Sequence, residues 1–212
     1  MLASYLYSFC SVDFINWVKY FVFTPKGNRM HYIIVSDIYG KTPALHDFCK
    51  TLNTQFTLVE PYSGKEQAIE SEEHNYKNFI KACGHNVYTA MLHKQFDRLT
   101  EPTICIAFSA GASAAWRAQL LTSNPHLKKV VGFYPSQIRN YLDLDASVLC
   151  EFIFPYHEVH FDVTAVINEL NKKQNVICKP TDYCHGFMNK RSLNYNEQAY
   201  QYFCNYLTSN DF

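Results

Sequence analysis

Residues 105–113, CIAFSAGAS, set a serine between an apolar run that reads as a strand and a small-residue run that reads as a helix. The run TICIAF (103–108) is close to continuously apolar, the pattern of a strand covered on both faces of a sheet. AGASAAWRAQLL (110–121) opens a helix whose glycine and alanines allow close approach to neighbouring strands. A strand that turns directly into a helix over one serine is the context of the G-x-S-x-G nucleophile elbow, met here as Ala107-Phe108-Ser109-Ala110-Gly111 with Ala107 at the first glycine position. A serine there also has a plainer use, capping the following helix by accepting from a backbone amide. Ser113, inside that helix, carries little weight as a nucleophile.

Working outward, the same alternation recurs. HYIIVSD (31–37) reads as a buried strand, and PALHDFCKTLN (43–53) as a helix with Leu45, Phe48 and Leu52 at helical spacing. QFTLVEP (55–61) supplies a strand, and residues 86–98 a helix. LKKVVGFYP (127–135) is a strand stopped at Pro135, VLCEFIF (148–154) another, and DVTAVINEL (162–170) a helix. NVICKP (175–180) is a late strand before a final helix around NYNEQAYQYFCNYL (194–207), where Asn194 and Glu197 have capping-box spacing. Residues 62–85 are less regular, hold four glutamates between 66 and 73, and are read as a pocket wall or short lid. Strand-helix alternation without a linker predicts one α/β domain over 1–212: a mainly parallel sheet, helices on both faces, and functional loops beyond the strands' C-terminal ends.

Composition agrees. The chain has 212 residues, 48% of them hydrophobic, with 19 basic and 19 acidic residues in balance, which argues against a disordered chain or a basic nucleic-acid binder. The Lys128-Lys129 pair and the NKKQN run (171–175) read as solvated turns or strand edges. The aromatic-rich start, MLASYLYSFCSVDFINWVKYFVF, lacks the basic opening of a secretory signal, and Asp13, Asn16 and Lys19 interrupt any membrane span, so it reads as folded or surface-packed structure. The eight cysteines include no CxxC pair, and reduced thiols in a cytoplasmic protein are the expectation.

A serine nucleophile needs a base. TDYCHGF (181–187) places His185 in a loop directly after a strand, from which imidazole can reach the elbow, with Gly186 easing the turn. Cys184 is a lesser candidate nucleophile, because a neighbour of His185 in an extended segment points elsewhere. The acid that orients the imidazole comes from FIFPYHEVHFDV (152–163). Glu158, four residues past the strand, is favoured, and Asp162 is the alternative, with a ready explanation as a helix N-cap. The backbone amides of Ala110 and of Ile38, after the early strand, are the expected oxyanion donors, with Tyr39 walling the pocket and Gly40 turning its loop. His157 and His160 do not form an HExxH pair and read as loop residues, so no metal is expected.

With these residues in place the chain resembles the dienelactone hydrolase family of α/β hydrolases over roughly residues 30–207. The resemblance is carried by IIVSDIYGKTPALHDFCKTLN, AFSAGASAAW, VVGFYP and CHGF, in that order. It implies Ser109 as nucleophile, Glu158 as acid and His185 as base, with Ile38 supplying an oxyanion amide beside Asp37. The founding activity uses a cysteine at the elbow and an arginine soon after His-Gly-Phe to hold a substrate carboxylate. Here the elbow carries Ser109, Asn189 lies near the arginine position and Arg191 is displaced by two, so dienelactone itself is not the expected substrate. Glu158 also replaces the usual aspartate, and Pro155 a glycine. The expectation is a serine-dependent hydrolase of a small ester, lactone or related acyl substrate, acting through an acyl-enzyme without cofactor. The alternative is a weak or inactive binding protein on the same scaffold.

Overall fold

Strand β4 (Thr103–Phe108) is buried at all of its positions, as its apolar run requires. It lies at the centre of the sheet in a computed structural model that describes residues 20–21, 30–68 and 70–209. The aromatic-rich start of the chain, apart from residues 20–21, lies outside the described residues.

In chain order the elements are β1 (Tyr20–Phe21), β2 (His31–Val35), α1 (Pro43–Thr51), β3 (Phe56–Val59), α2 (Glu72–Ala82), α3 (Gly84–Asp97), β4, α4 (Ala110–Ala118), β5 (Leu127–Phe133), a short 3-10 turn (Ser136–Asn140), β6 (Leu149–Phe154), α5 (Val163–Leu170), β7 (Val176–Pro180) and α6 (Glu197–Thr208). The sheet order is β1-β3-β2-β4-β5-β6-β7. The six strands from β2 onward run parallel, and β1 pairs antiparallel with β3 at one edge. Side chains alternate across a strand, so each face has its own core. One gathers Ile33, Cys105, Val130 and Phe152 with Phe79, Leu92, Trp116 and Val166 from α2 to α5. The other gathers Ile34, Ile106, Val131 and Ile153 with Phe48 of α1 and Phe203 of α6. This is the mainly parallel, doubly covered α/β architecture that the alternation predicts.

Local chemistry sets the boundaries. Thr42 caps α1 by accepting from the Leu45 amide at 3.1 Å, with Pro43 in the first turn. Asp162 caps α5 by accepting from Thr164 N at 2.8 Å and Ala165 N at 3.2 Å. The cap of α6 is Asn196, which accepts from Ala199 N at 2.9 Å, and not Asn194, two residues earlier. Asn194 instead donates its side-chain amide to the His185 carbonyl at 3.0 Å.

Residues 62–85 hold more regular structure than their sequence pattern suggests. The buried Glu60 carboxylate closes the turn before them, accepting from Tyr62 N at 2.8 Å and from Gly64 N. Helix α2 then inserts Phe79, fully buried, into the core while Glu66, Glu70, Glu72 and Glu73 face solvent. Gly111, in the first turn of α4, is where helix and sheet approach most closely: a Cβ there would collide with the Ser36 carbonyl and meet Val35 Cγ1 at 2.9 Å.

Candidate active site

Four strands deliver the site from their C-terminal ends, the usual location in an open α/β sheet. Ser109 follows β4, Ile38 follows β2, Glu158 follows β6 and His185 follows β7. Ser109 stands at the N-cap position of α4 with φ +49° and ψ −113°, and makes no side-chain cap hydrogen bond. That removes the capping explanation of the serine. A positive φ at a non-glycine residue costs about 1–3 kcal/mol and persists only where surrounding contacts impose it. Here they do: Ser109 N donates to Phe133 O at 2.9 Å, and Gly111 lets α4 start hard against β2.

Released from capping, Ser109 Oγ lies 3.1 Å from His185 Nε2, and His185 Nδ1 lies 2.6 Å from Glu158 Oε1. A neutral imidazole satisfies both contacts with its proton on Nδ1, donating to Glu158 and leaving Nε2 to accept from the serine hydroxyl. The loop after β6 is tied to the loop after β7, since Tyr156 N donates to Tyr183 O at 2.9 Å and Thr181 N to Phe154 O at 3.0 Å. The Glu158 side chain is only 10% exposed, so water does not dilute its pairing with the imidazole. Gly186, at φ +85°, makes the turn that follows, and a Cβ there would meet Ser192 Oγ at 2.6 Å. Asp162, the alternative acid, is committed to the cap of α5. Ser113 has a structural role, its Oγ accepting from Gln137 N at 3.0 Å. Cys184 is exposed in the loop beside His185.

The amides of Ile38 and Ala110 have no acceptor among the described residues, although both residues are buried. The Ile38 loop is held from behind by Tyr62, whose hydroxyl donates to Ile38 O at 2.6 Å, and by Tyr88, whose hydroxyl donates to Ser36 O at 2.8 Å. The other pocket candidates converge as well. Asp37 accepts from Tyr39 N at 2.9 Å and from Asn189 Nδ2 at 2.6 Å, and Asn189 Oδ1 accepts from Arg191 N at 2.8 Å. The Arg191 guanidinium lies over the Tyr39 ring at 5.2 Å. Burial raises the Asp37 pKa above the ordinary carboxylate range despite these hydrogen bonds and the nearby His185 and Arg191. His157 and His160 are exposed, and no group of three or more metal-ligating side chains is found among the described residues.

Beside this constellation a small cleft opens to solvent. Its apolar wall is Leu45, Phe48, Phe108 and Met188. Tyr134, in the VVGFYP run, also lines it, and no local motif singles it out. Its signal was positional: it is the first residue past β5, the strand next to the one that carries the elbow.

No family model matches the chain. An uncharacterized protein of Bacillus subtilis (strain 168), YczH, is 28% identical over 164 residues, spanning 75% of this chain and 71% of the relative. Among solved structures, dienelactone hydrolase from Anabaena variabilis superposes with TM-score 0.61 at 12% identity, covering 87% of this chain and 86% of that one. P91, a dienelactone hydrolase-like promiscuous phosphotriesterase from metagenomic libraries, gives TM-score 0.61 at 10% identity, covering 87% of each chain. The fold is that of the α/β hydrolases. No helix among the described residues is long and apolar enough to cross a membrane.

Proposed function

We propose that this chain is a dienelactone hydrolase-like serine hydrolase that cleaves a small carboxylic ester, lactone or related acyl compound. The observation that carries the reading is the bonded series Ser109 Oγ, His185 Nε2 and Nδ1, and Glu158 Oε1, at 3.1 and 2.6 Å, on a serine whose backbone strain serves no cap. Hydrolases among its structural neighbours add support for hydrolysis.

In the first step His185 Nε2 takes the Ser109 proton as Oγ bonds to the substrate carbonyl carbon. The negative charge that develops on the carbonyl oxygen is met by the Ile38 and Ala110 amides, which need no reorganisation because neither has another acceptor among the described residues. Glu158 holds the Nδ1 proton and stabilises the imidazolium. Imidazolium then protonates the departing alkoxide, leaving an acyl-serine. Water, deprotonated by the same nitrogen, releases the acid and restores Ser109. Each step balances with protons alone, so the cycle calls for no metal or organic cofactor. The seven free cysteines among the described residues suit a reducing compartment, in keeping with a cytoplasmic enzyme.

The test is covalent labelling by a fluorophosphonate together with turnover of short-chain 4-nitrophenyl esters. The expected result is labelling that disappears in Ser109→Ala and falls steeply in His185→Ala. Folded wild-type protein that neither labels nor turns over any ester would instead make the chain a binding protein on a hydrolase scaffold.

A further inference from the structure

Tyr134 combines three features that packing alone does not explain. Its backbone sits at φ +42°, a costly conformation for a bulky residue. The residue is 1% exposed, and its hydroxyl makes no hydrogen bond of standard geometry, although the nearby Met188 amide favours its ionised form. Its ring centroid lies 4.8 Å from that of His185, and the residue lines the pocket.

The other polar groups around that pocket are engaged. Asp37 accepts from Tyr39 N and Asn189, Asn189 Oδ1 from Arg191 N, and Thr42 Oγ1 from Leu45 N. Of the two hydroxyls on that wall, Thr42 Oγ1 already accepts from Leu45 N, whereas the Tyr134 hydroxyl makes no hydrogen bond and its ring lies against His185. The carboxylate of Asp37 stands on the same wall, and no lysine or arginine lines the pocket.

We propose that this pocket is a subsite for an uncharged, oxygen-bearing acyl group, a hydroxyl or carbonyl that accepts a hydrogen bond from Tyr134, and that Asp37 turns away a carboxylate at the same place. The inference rests on the hydrolase reading for the identity of the attached ester, but the subsite itself is a binding property. Its apolar wall suits a short carbon chain, so the preferred acid carries one neutral oxygen on a short aliphatic stem. A site whose buried polar group expects a partner discriminates most strongly against the analogue that lacks it.

The experiment compares 4-nitrophenyl esters of 3-hydroxybutanoic acid, butanoic acid and succinic acid (the monoester). The expected order of kcat/KM puts the hydroxy acid first, about 10-fold or more above butanoate, and the succinate monoester last. In Tyr134→Phe the ratio of hydroxybutanoate to butanoate falls to about 1, and in Asp37→Asn the succinate monoester gains about 10-fold relative to butanoate. Because the hydroxyl has no partner, Tyr134→Phe keeps or raises Tm; a fall in Tm would assign the hydroxyl a structural bond and overturn the proposal. Ser109→Ala is titrated by NMR with 3-hydroxybutanamide, butanamide and succinamate, expecting the same order. Equal binding of the first two amides, or saturable binding by none, overturns the subsite. Loss of turnover and labelling with that binding order intact overturns only the hydrolytic reading.

Discussion

Glu158 Oε1 lies 2.6 Å from His185 Nδ1, while Asp162, four residues further along, gives its carboxylate to the first turn of α5. The two acids are therefore separable by mutation. Glu158→Gln is expected to lower kcat by roughly 10²–10⁴-fold, since a side-chain amide neither fixes the tautomer nor stabilises the imidazolium. Asp162→Ala is expected to leave kcat within a factor of about two while lowering stability by about 1 kcal/mol, the usual cost of a lost cap. Steady-state kinetics and urea titration on both variants make the comparison.

The strain at Ser109 gives a stability signature independent of any substrate. Ser109→Ala and Ser109→Gly both remove the hydroxyl, but only glycine accepts φ +49° at low cost. The glycine variant is expected to be more stable than the alanine variant by about 1–2 kcal/mol in denaturant titration. Equal midpoints would mean that the elbow stores no strain.

Gly111 sets where that elbow stands relative to β2. Gly111→Ala forces α4 away from the Ser36 carbonyl, and overpacking of this kind costs about 1–3 kcal/mol. Activity is expected to fall further than stability suggests, because the same displacement moves Ser109 away from His185. Circular dichroism melts paired with ester turnover read both effects.

Far from the site, Glu151 is almost fully buried and is met by Lys129 at 2.9 Å, Lys179 at 2.8 Å and Tyr206 Oη at 2.7 Å. Burial alone would raise its pKa, but the hydrogen bonds from Lys179, Lys129 and Tyr206 outweigh burial and hold it below the ordinary glutamate range. A depressed folded pKa means that this contribution is full above the unfolded value and is lost as pH falls through the folded one. Glu151→Gln is expected to cost about 3 kcal/mol at neutral pH. The gap to wild type should begin to shrink as pH falls through the unfolded glutamate value of about 4.3 and close only below the depressed folded value, where Glu151 itself takes up a proton. Denaturant midpoints across pH 3–8 check the sign.

Much of the architecture was legible because it is written in short apolar runs whose meaning is local. TICIAF can be little other than a covered strand, and the positions of Ser109, Glu158 and His185 just beyond three such runs carry the site with them. Helix α2 was not legible, because only Asn75 and Phe79 of its residues are buried and two positions make no stripe. The cap of α6 was misread because Asn194 and Asn196 offer the same chemistry two residues apart, and the His185 carbonyl claims the first. Tyr134 is not legible for a further reason. A hydroxyl left without a partner is defined by groups far away in the chain, such as Asp37 and Met188, and no nearby spacing encodes that.

The imidazole hangs from an edge of the sheet. β7 pairs on one side only, with β6, and none of its five residues is fully buried. Strands of this kind fray at free energies well under that of global unfolding. Warming should therefore detach the proton acceptor while β4 and its serine stay in register, so that heat inactivation precedes the cooperative melt.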